Sequence, residues 1–219
     1  NTISLAPVAT VIAVGVGLVL AFAARTDQGT LGRTLLRSAS LGYALPGTVL
    51  AIGLLIPLAS LDNVIAGYAR EMFGISTGLL IAGSGAALVY AYVVRFLAVS
   101  AGGVDAGYDK IPRSLDHSAR LLGRSPAATL REVHLPLIRP ALGAAAILVF
   151  VDCMKELPAT LLLRPLNFET LATHLYGEAA RGTYEEGTIA ALAIVLVGLL
   201  PVIVLARVGR PALEAETNP

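Results

Sequence analysis

The apolar positions of this chain gather into long runs, not into the alternation of half-buried strands or the one-sided stripe of surface helices. A helix needs about 20 apolar residues to cross roughly 30 Å of hydrocarbon. Five runs reach that length. Leu5 to Ala24 and Thr188 to Ala206 hold no charge, Leu41 to Leu61 is uncharged but contains Pro46 and Pro57, and Gly78 to Leu97 carries Arg95 near its end. Leu137 to Leu163 has Arg139 and Pro140 near its start and Asp152, Lys155 and Glu156 near its end. The pattern predicts an all-α polytopic membrane bundle of about five transmembrane helices, with residues 1–219 as a single domain. Pro46, Pro158 and Pro201 are predicted to kink or end helices, which neighbouring helices tolerate in a membrane bundle.

Composition fixes the solvent. Hydrophobic residues make up 56% of the chain and charged ones 14%, against about 25% charged in a soluble domain, and the mean hydropathy is +0.76. The net charge of +1 from 16 basic and 15 acidic residues gives no reason to expect a nucleic-acid partner. Cys153 is the single cysteine and sits in an apolar run, so no internal disulfide or multi-cysteine metal site is expected, and it is predicted to pack as a small apolar residue. The chain opens on Asn1 and enters an apolar run without a basic leader or cleavage site, so it is not a signal peptide as written; a segment of a longer polypeptide is expected. The tail from Ala212 to Pro219 is short and polar and predicted to be disordered.

Lys and Arg decide the direction of the spans. With residue 1 outside, the inner segments hold twelve bases: Arg25, Arg33, Arg37, Arg95, Lys110, Arg113, Arg120, Arg124, Arg131, Arg139, Arg207 and Arg210. The outer loops hold three: Arg70, Arg164 and Arg181. The asymmetry predicts an outer N-terminus, a cytoplasmic C-terminus and an external, somewhat acidic loop from Arg164 to Glu186.

The longest inner connection, residues 98–136, exceeds a simple turn and needs order of its own. Ser114 is predicted to cap a helix from Leu115, with Asp116 near its positive end and Leu115, Ala119 and Leu122 at helical spacing. Gly123 is predicted to end it, and a second short helix to start at Ser125 with Pro126 in its first turn and to stop before Leu135-Pro136. Two short amphipathic helices, roughly at right angles, are therefore expected below the membrane. Taken alone, such a pair reads as an interfacial element whose basic face meets anionic lipid heads.

The spacing points elsewhere. Ser118 and Ala119, then Gly123, then after nine residues Val133 and Leu135-Pro136, resemble the cytoplasmic EAA signature of the permease subunits of bacterial ABC importers. His117 stands where that signature has glutamate, with Asp116 just before it. The stretches Tyr43 to Gly53, Tyr92 to Phe96 and Lys155 to Pro165 look like segments of the iron(III)-type permeases, which are built from two such halves in one chain; this chain is similar to the second half. The resemblance implies a type I importer fold whose coupling loop (Asp116, His117, Ser118, Ala119, Gly123, Val133, Leu135, Pro136) seats in a groove of a separate ABC ATPase subunit. It also implies a second permease half, an external solute-binding protein and residence in the bacterial inner membrane. ATP and Mg belong to the ATPase: neither Lys110 nor Lys155 lies in a phosphate-cradling Gly-x-x-x-x-Gly-Lys-Ser/Thr loop, so no cofactor is expected on this chain.

Charges within a span cost about 2.5 to 3.5 kcal/mol each and ask for partners or water. On a continuous helix Asp152, Lys155 and Glu156 share one face, either as a polar lining of the pathway that attracts a hard cation or as an internal ion pair of Lys155 with one or both acids. No metal site is firmly predicted. Tyr90, Tyr92 and Arg95 read as interface anchors, His134 as structural, His174 as solvated, and Gly78, Ala82, Gly83 and Gly85 as a surface for close helix approach. The reading is a transport permease and not an enzyme. Ferric iron is the expected cargo, although importers of thiamine, phosphonate, sulfate or polyamine share the same loop. The alternatives from other classes are a membrane-embedded hydrolase using Asp152 and Glu156 as acid and base, and a passive channel or scaffold.

Overall fold

The computed structural model describes residues 1–27 and 29–214, with the side chains of 200, 201 and 204–214 outside that description. It contains helices α1 (Thr2–Thr26), α2 (Leu31–Ala39), α3 (Leu41–Ala44), α4 (Gly47–Phe73), α5 (Gly85–Asp109), α6 (Arg113–Leu121), α7 (Pro126–Thr129), α8 (Leu135–Lys155), α9 (Pro158–Leu163), α10 (Leu171–Arg181) and α11 (Tyr184–Glu214). Among the described residues four helical runs are long and apolar enough to cross a membrane: Thr2–Thr26, Gly47–Phe73, Gly85–Asp109 and the continuous run Pro126–Lys155. The fifth predicted run lies in α11. That helix takes in 212–214 of the tail expected to be disordered, and 215–219 lie outside the described residues.

Small residues bring the central helices together. α1 buries Ala6, Ala9, Ala13, Gly17, Ala21 and Ala24 along one stripe, and α5 answers with Ala87, Ala91, Ser100, Ala101 and Gly107. Without side chains to keep them apart, the backbones approach closely, and the Ser100 hydroxyl donates to the Ala13 carbonyl at 2.8 Å. α8 completes this core with Ile138, Ala145, Val149 and Cys153; the cysteine is buried, as its apolar setting predicted. Away from the core, large apolar side chains such as Ile3, Val11, Ile56 and Ile189 are exposed, an outward face suited to lipid or to other membrane helices.

Span boundaries move, and each shift has a local cause. The run predicted from Leu41 breaks at Leu45-Pro46: Leu45 is extended, as a residue before proline tends to be, and the spanning helix starts at Gly47 and continues to Phe73. The run predicted from Gly78 starts only at Gly85, because Gly78 and Gly83 adopt positive φ in a loop and so do not form the helix-packing surface expected of them. That loop is held by Asp62, which is buried in α4 and accepts from the amides of Leu80, Ile81 and Ala82. α5 then extends to Asp109, so residues 98–109 are spanning helix and not loop. The last correction is at α8, which stops at Lys155; Glu156 is extended and a separate helix begins at Pro158.

Candidate functional site

Two clusters of charge are built into the bundle, one at the end that carries α6 and one near its middle. At the first, α6 starts at Arg113 after Pro112, not at the predicted Ser114 cap. Its other end follows prediction: Gly123 has φ 73, its amide donates to the Arg120 carbonyl at 2.9 Å, and the Arg124 amide donates to the Ala119 carbonyl at 3.0 Å. This left-handed close satisfies carbonyls that the helix leaves open. The Ser125 hydroxyl then caps the next helix by accepting from the Ala128 amide, with Pro126 in its first turn. That helix is not a separate piece. α7 passes through a wide π turn (Leu130–His134) straight into α8, and the turn lies where Pro136 removes a backbone donor from the ladder.

Within the predicted coupling residues the side chains divide. His117 and Ser118 are exposed, Ala119 is buried against the bundle, Val133 and Leu135 are half-buried and Pro136 is exposed. Leu121 and Leu122 stand out at 89% and 80% exposure. Asp116 points inward. Its Oδ2 accepts from Arg25 Nε at 3.0 Å, and its Oδ1 lies 2.6 Å from His134 Nε2. Arg25, at the end of α1, also donates to the carbonyls of Tyr108 (2.8 Å) and Ile111 (3.0 Å), where α5 ends. His134 is buried with the rings of Tyr108 and Phe22 edge-on to it. Partial burial pushes the Asp116 carboxyl up, but its bonds to Arg25 and His134 outweigh that and hold it below the usual carboxylate range.

The second cluster joins two helix breaks. Near the middle of α5, Arg95 donates through Nε to Glu156 Oε2 at 3.1 Å and through Nη1 to the Leu45 carbonyl at 2.7 Å. Leu45 lies at the break before α4 and Glu156 at the break after α8, so one guanidinium ties both to α5. The other Glu156 oxygen accepts from the Ala159 amide at the start of α9. Thr160 donates to the Glu156 carbonyl, and Tyr92 bonds to Thr160, so Tyr92 is a buried core residue and not the interface anchor expected from its position.

The three charges predicted on one helical face therefore separate. Lys155 pairs with Asp152 alone, at 2.9 Å, and its side chain is 63% exposed; Glu156 leaves the helix and takes Arg95 instead. Each carboxylate already has a cationic partner, and among the described residues no group of three or more His, Cys, Asp and Glu side chains is gathered to hold a metal ion. His174 lies 3.4 Å from Glu169 and 3.8 Å from Glu178. Arg25 and Arg95 are the participants that sequence reasoning missed. By sequence Arg25 is only a base at a span end and Arg95 an interface anchor, although an arginine within an apolar run calls for an acceptor, and Glu156 offers one.

Residues 13–214 match the family model described as binding-protein-dependent transport system inner membrane component. The Fe(3+)-transport system permease protein FbpB 2 of Haemophilus influenzae is 30% identical over 165 residues, covering 75% of this chain and 29% of that protein. A putative 2-aminoethylphosphonate transport system permease protein, PhnV of Salmonella typhimurium, is 30% identical over 120 residues, 55% of this chain and 45% of its own length. The chain thus spans less than half the length of these two relatives. The trehalose transport system permease protein SugB of Mycobacterium tuberculosis is 29% identical over 207 residues, 93% of this chain and 68% of that protein. Two solved structures share the fold. A chain of a bacterial alginate ABC transporter, in complex with a periplasmic protein bound to alginate pentasaccharide, has TM-score 0.76 at 15% identity and covers 97% of this chain and 77% of its own. A chain of the MetNI methionine ABC transporter in inward-facing conformations has TM-score 0.67 at 18% identity, covering 96% and 92%.

Proposed function

Because the chain belongs to the family of binding-protein-dependent transport system inner membrane components, we propose that it forms one half of the membrane pathway of an ATP-driven importer whose cargo is ferric iron. The observation that carries the transport reading is α6: a short helix held outside the spanning bundle, with His117, Ser118, Leu121 and Leu122 presented outward where an ATPase groove can receive them. With Arg95 set aside as a mid-span residue, bases favour the α6 end as cytoplasmic, eleven against three by sequence, and Gly123 fixes the angle of that end. ATP and Mg are then held by the separate ATPase subunits, whose closure moves α6, while an external binding protein delivers cargo at the opposite end, around α9 and α10. A second permease half covers the exposed flank of the mid-bundle cluster.

Ferric iron is supported by the similarity to an Fe(3+)-transport permease across three quarters of the chain. Asp152, Lys155 and Glu156 border the pathway in this reading, with Arg95 as the counter-ion of Glu156. Their charges cancel in pairs, which suits passage without retention. The test is uptake into proteoliposomes containing the complete permease and its ATPase, supplied with the cognate binding protein loaded with radioactive iron(III). ATP-dependent accumulation is expected. Accumulation of a phosphonate or sugar in place of iron would overturn the cargo, and no ATP-dependent uptake of any of them would overturn the transport reading.

A further inference from the structure

We propose that Arg25, Asp116 and His134 form a rivet that makes α6 and the ends of α1, α5 and α8 move as one body, so that Asp116 acts by positioning α6 and not by touching the ATPase. The inference rests on the transport reading above and adds how force enters the bundle.

A nine-residue helix is too short to persist alone. α6 buries Ala119 and little else, so its hold on the bundle must be polar. Asp116 supplies it through both oxygens: Arg25 Nη2 reaches Oδ2 at 2.8 Å while Nε bonds the same oxygen, and His134 takes Oδ1. Arg25 is itself fixed. Its side chain is 8% exposed, its guanidinium lies over the Tyr108 ring, and its remaining donors meet carbonyls at the end of α5, where the helix dipole favours a cation. His134 sits in the π turn that leads into α8, braced by Phe22 from α1 and Tyr108 from α5. One carboxylate on α6 is thus the shared acceptor of groups anchored in α1 and α8, with α5 clamped by the same arginine.

This arrangement accounts for a departure in the sequence. The position matching the signature's glutamate is His117, which faces out, while the neighbouring acid faces in. An inward acid bonded on both oxygens is committed to Arg25 and His134 and does not face an ATPase groove. It can, however, transmit: an α6 displaced by its partner must carry Arg25 and His134 along or break charge-assisted bonds.

The test uses the assembled transporter in proteoliposomes, with uptake and ATP hydrolysis measured together, and spin labels at Ser114→Cys, exposed on α6 and not among the residues offered to the ATPase, and Leu137→Cys in a Cys153→Ala background. In the parent the α6 to α8 label distance stays constant between nucleotide-free and ATP-trapped states. In D116A it diverges between those states, and uptake per ATP hydrolysed falls about tenfold, a loss within the usual range of coupling energies. R25K keeps the charge but loses the fork, and shows the same change to a smaller degree; it is the variant read if D116A does not assemble. The proposal is overturned if the distance stays constant in the variant, or if uptake and hydrolysis fall in equal proportion, which is the signature of a lost ATPase contact. Absence of ATP-dependent uptake by the parent sinks the transport reading instead, and is separately visible.

Discussion

Arg95 and Glu156 meet at 3.1 Å across 61 residues of sequence, and with the Leu45 carbonyl they join the two broken helices to an unbroken one. The Glu156 side chain is 7% exposed and that of Arg95 18%, so neither charge has ready access to water. Removing one partner leaves the other buried and uncompensated, a situation that costs about 3 kcal/mol or more, whereas replacing both by apolar groups of like size is far milder. R95M and E156L are each expected to lower stability against denaturant in micelles by about that amount, and R95M/E156L by clearly less than their sum. Additive losses would mean that the two side chains do not form a pair.

Gly123 is required for its backbone and not for its size. Its φ is 73, and a Cβ built there meets nothing within 4 Å. Gly123→Ala therefore carries only the left-handed penalty, about 1 kcal/mol, and Gly123→Asn a smaller one. Hydrogen exchange at the Arg124 amide, which closes α6 onto Ala119, should speed up in the alanine variant and less in the asparagine one.

Gly42 is the opposite case. A Cβ there falls 2.1 Å from the Val94 carbonyl oxygen, a backbone atom with nowhere to go, while a Cβ at Gly53 meets nothing within 4 Å. Gly42→Ala is expected to push α3 off α5 and destabilise by about 2 kcal/mol. Gly53→Ala, within α4, should be neutral or slightly stabilising, because alanine is the better helix former. The contrast is readable from paired thermal melts in the same detergent.

These sites show what could be read from the residues alone. The spans were legible because length and apolarity decide them, and the Gly123 turn and the Ser125-Pro126 helix start were legible because their chemistry is local. The breaks at Leu45-Pro46 and Glu156 were half visible as prolines. The partners were not: Asp116 and Arg25 lie 91 residues apart, and nothing periodic announces that one faces the other. A continuous helix would put Glu156 on one face with Lys155, and one extended residue undoes that geometry. The same blindness covered Asp62, whose role depends on a loop that folds back 18 to 20 residues later.

Asp62 itself yields a graded expectation. Both of its oxygens are used, accepting from the amides of Leu80, Ile81 and Ala82. Asn keeps one acceptor and loses the charge that strengthens each bond; Ala loses all of them. Asp62→Asn should cost about 1.5 kcal/mol and Asp62→Ala more, with amide exchange at 80–82 rising in that order. Equal exchange in both variants would show that the loop is held by something else.

The turn from α10 to α11 should respond to acid. The Glu178 side chain is 5% exposed; its carboxylate accepts from the Thr183 hydroxyl at 2.6 Å and pairs with Arg181, and its backbone carbonyl receives the Thr183 amide at 3.0 Å. The Thr183 bond, opposed by burial and aided by Arg181, holds the carboxyl below its ordinary value, and His174 adds to the same direction. A carboxyl whose native pKa is lowered contributes stability that is present above its unfolded value, about 4.3, and is lost as pH falls through the lowered native one. Protection of the Gly182 and Thr183 amides should therefore be flat from neutral pH down to that value and decline below it. In Glu178→Gln, which cannot titrate, protection should be weaker at neutral pH and should lack the decline; a decline persisting in that variant would assign the acid response to another group.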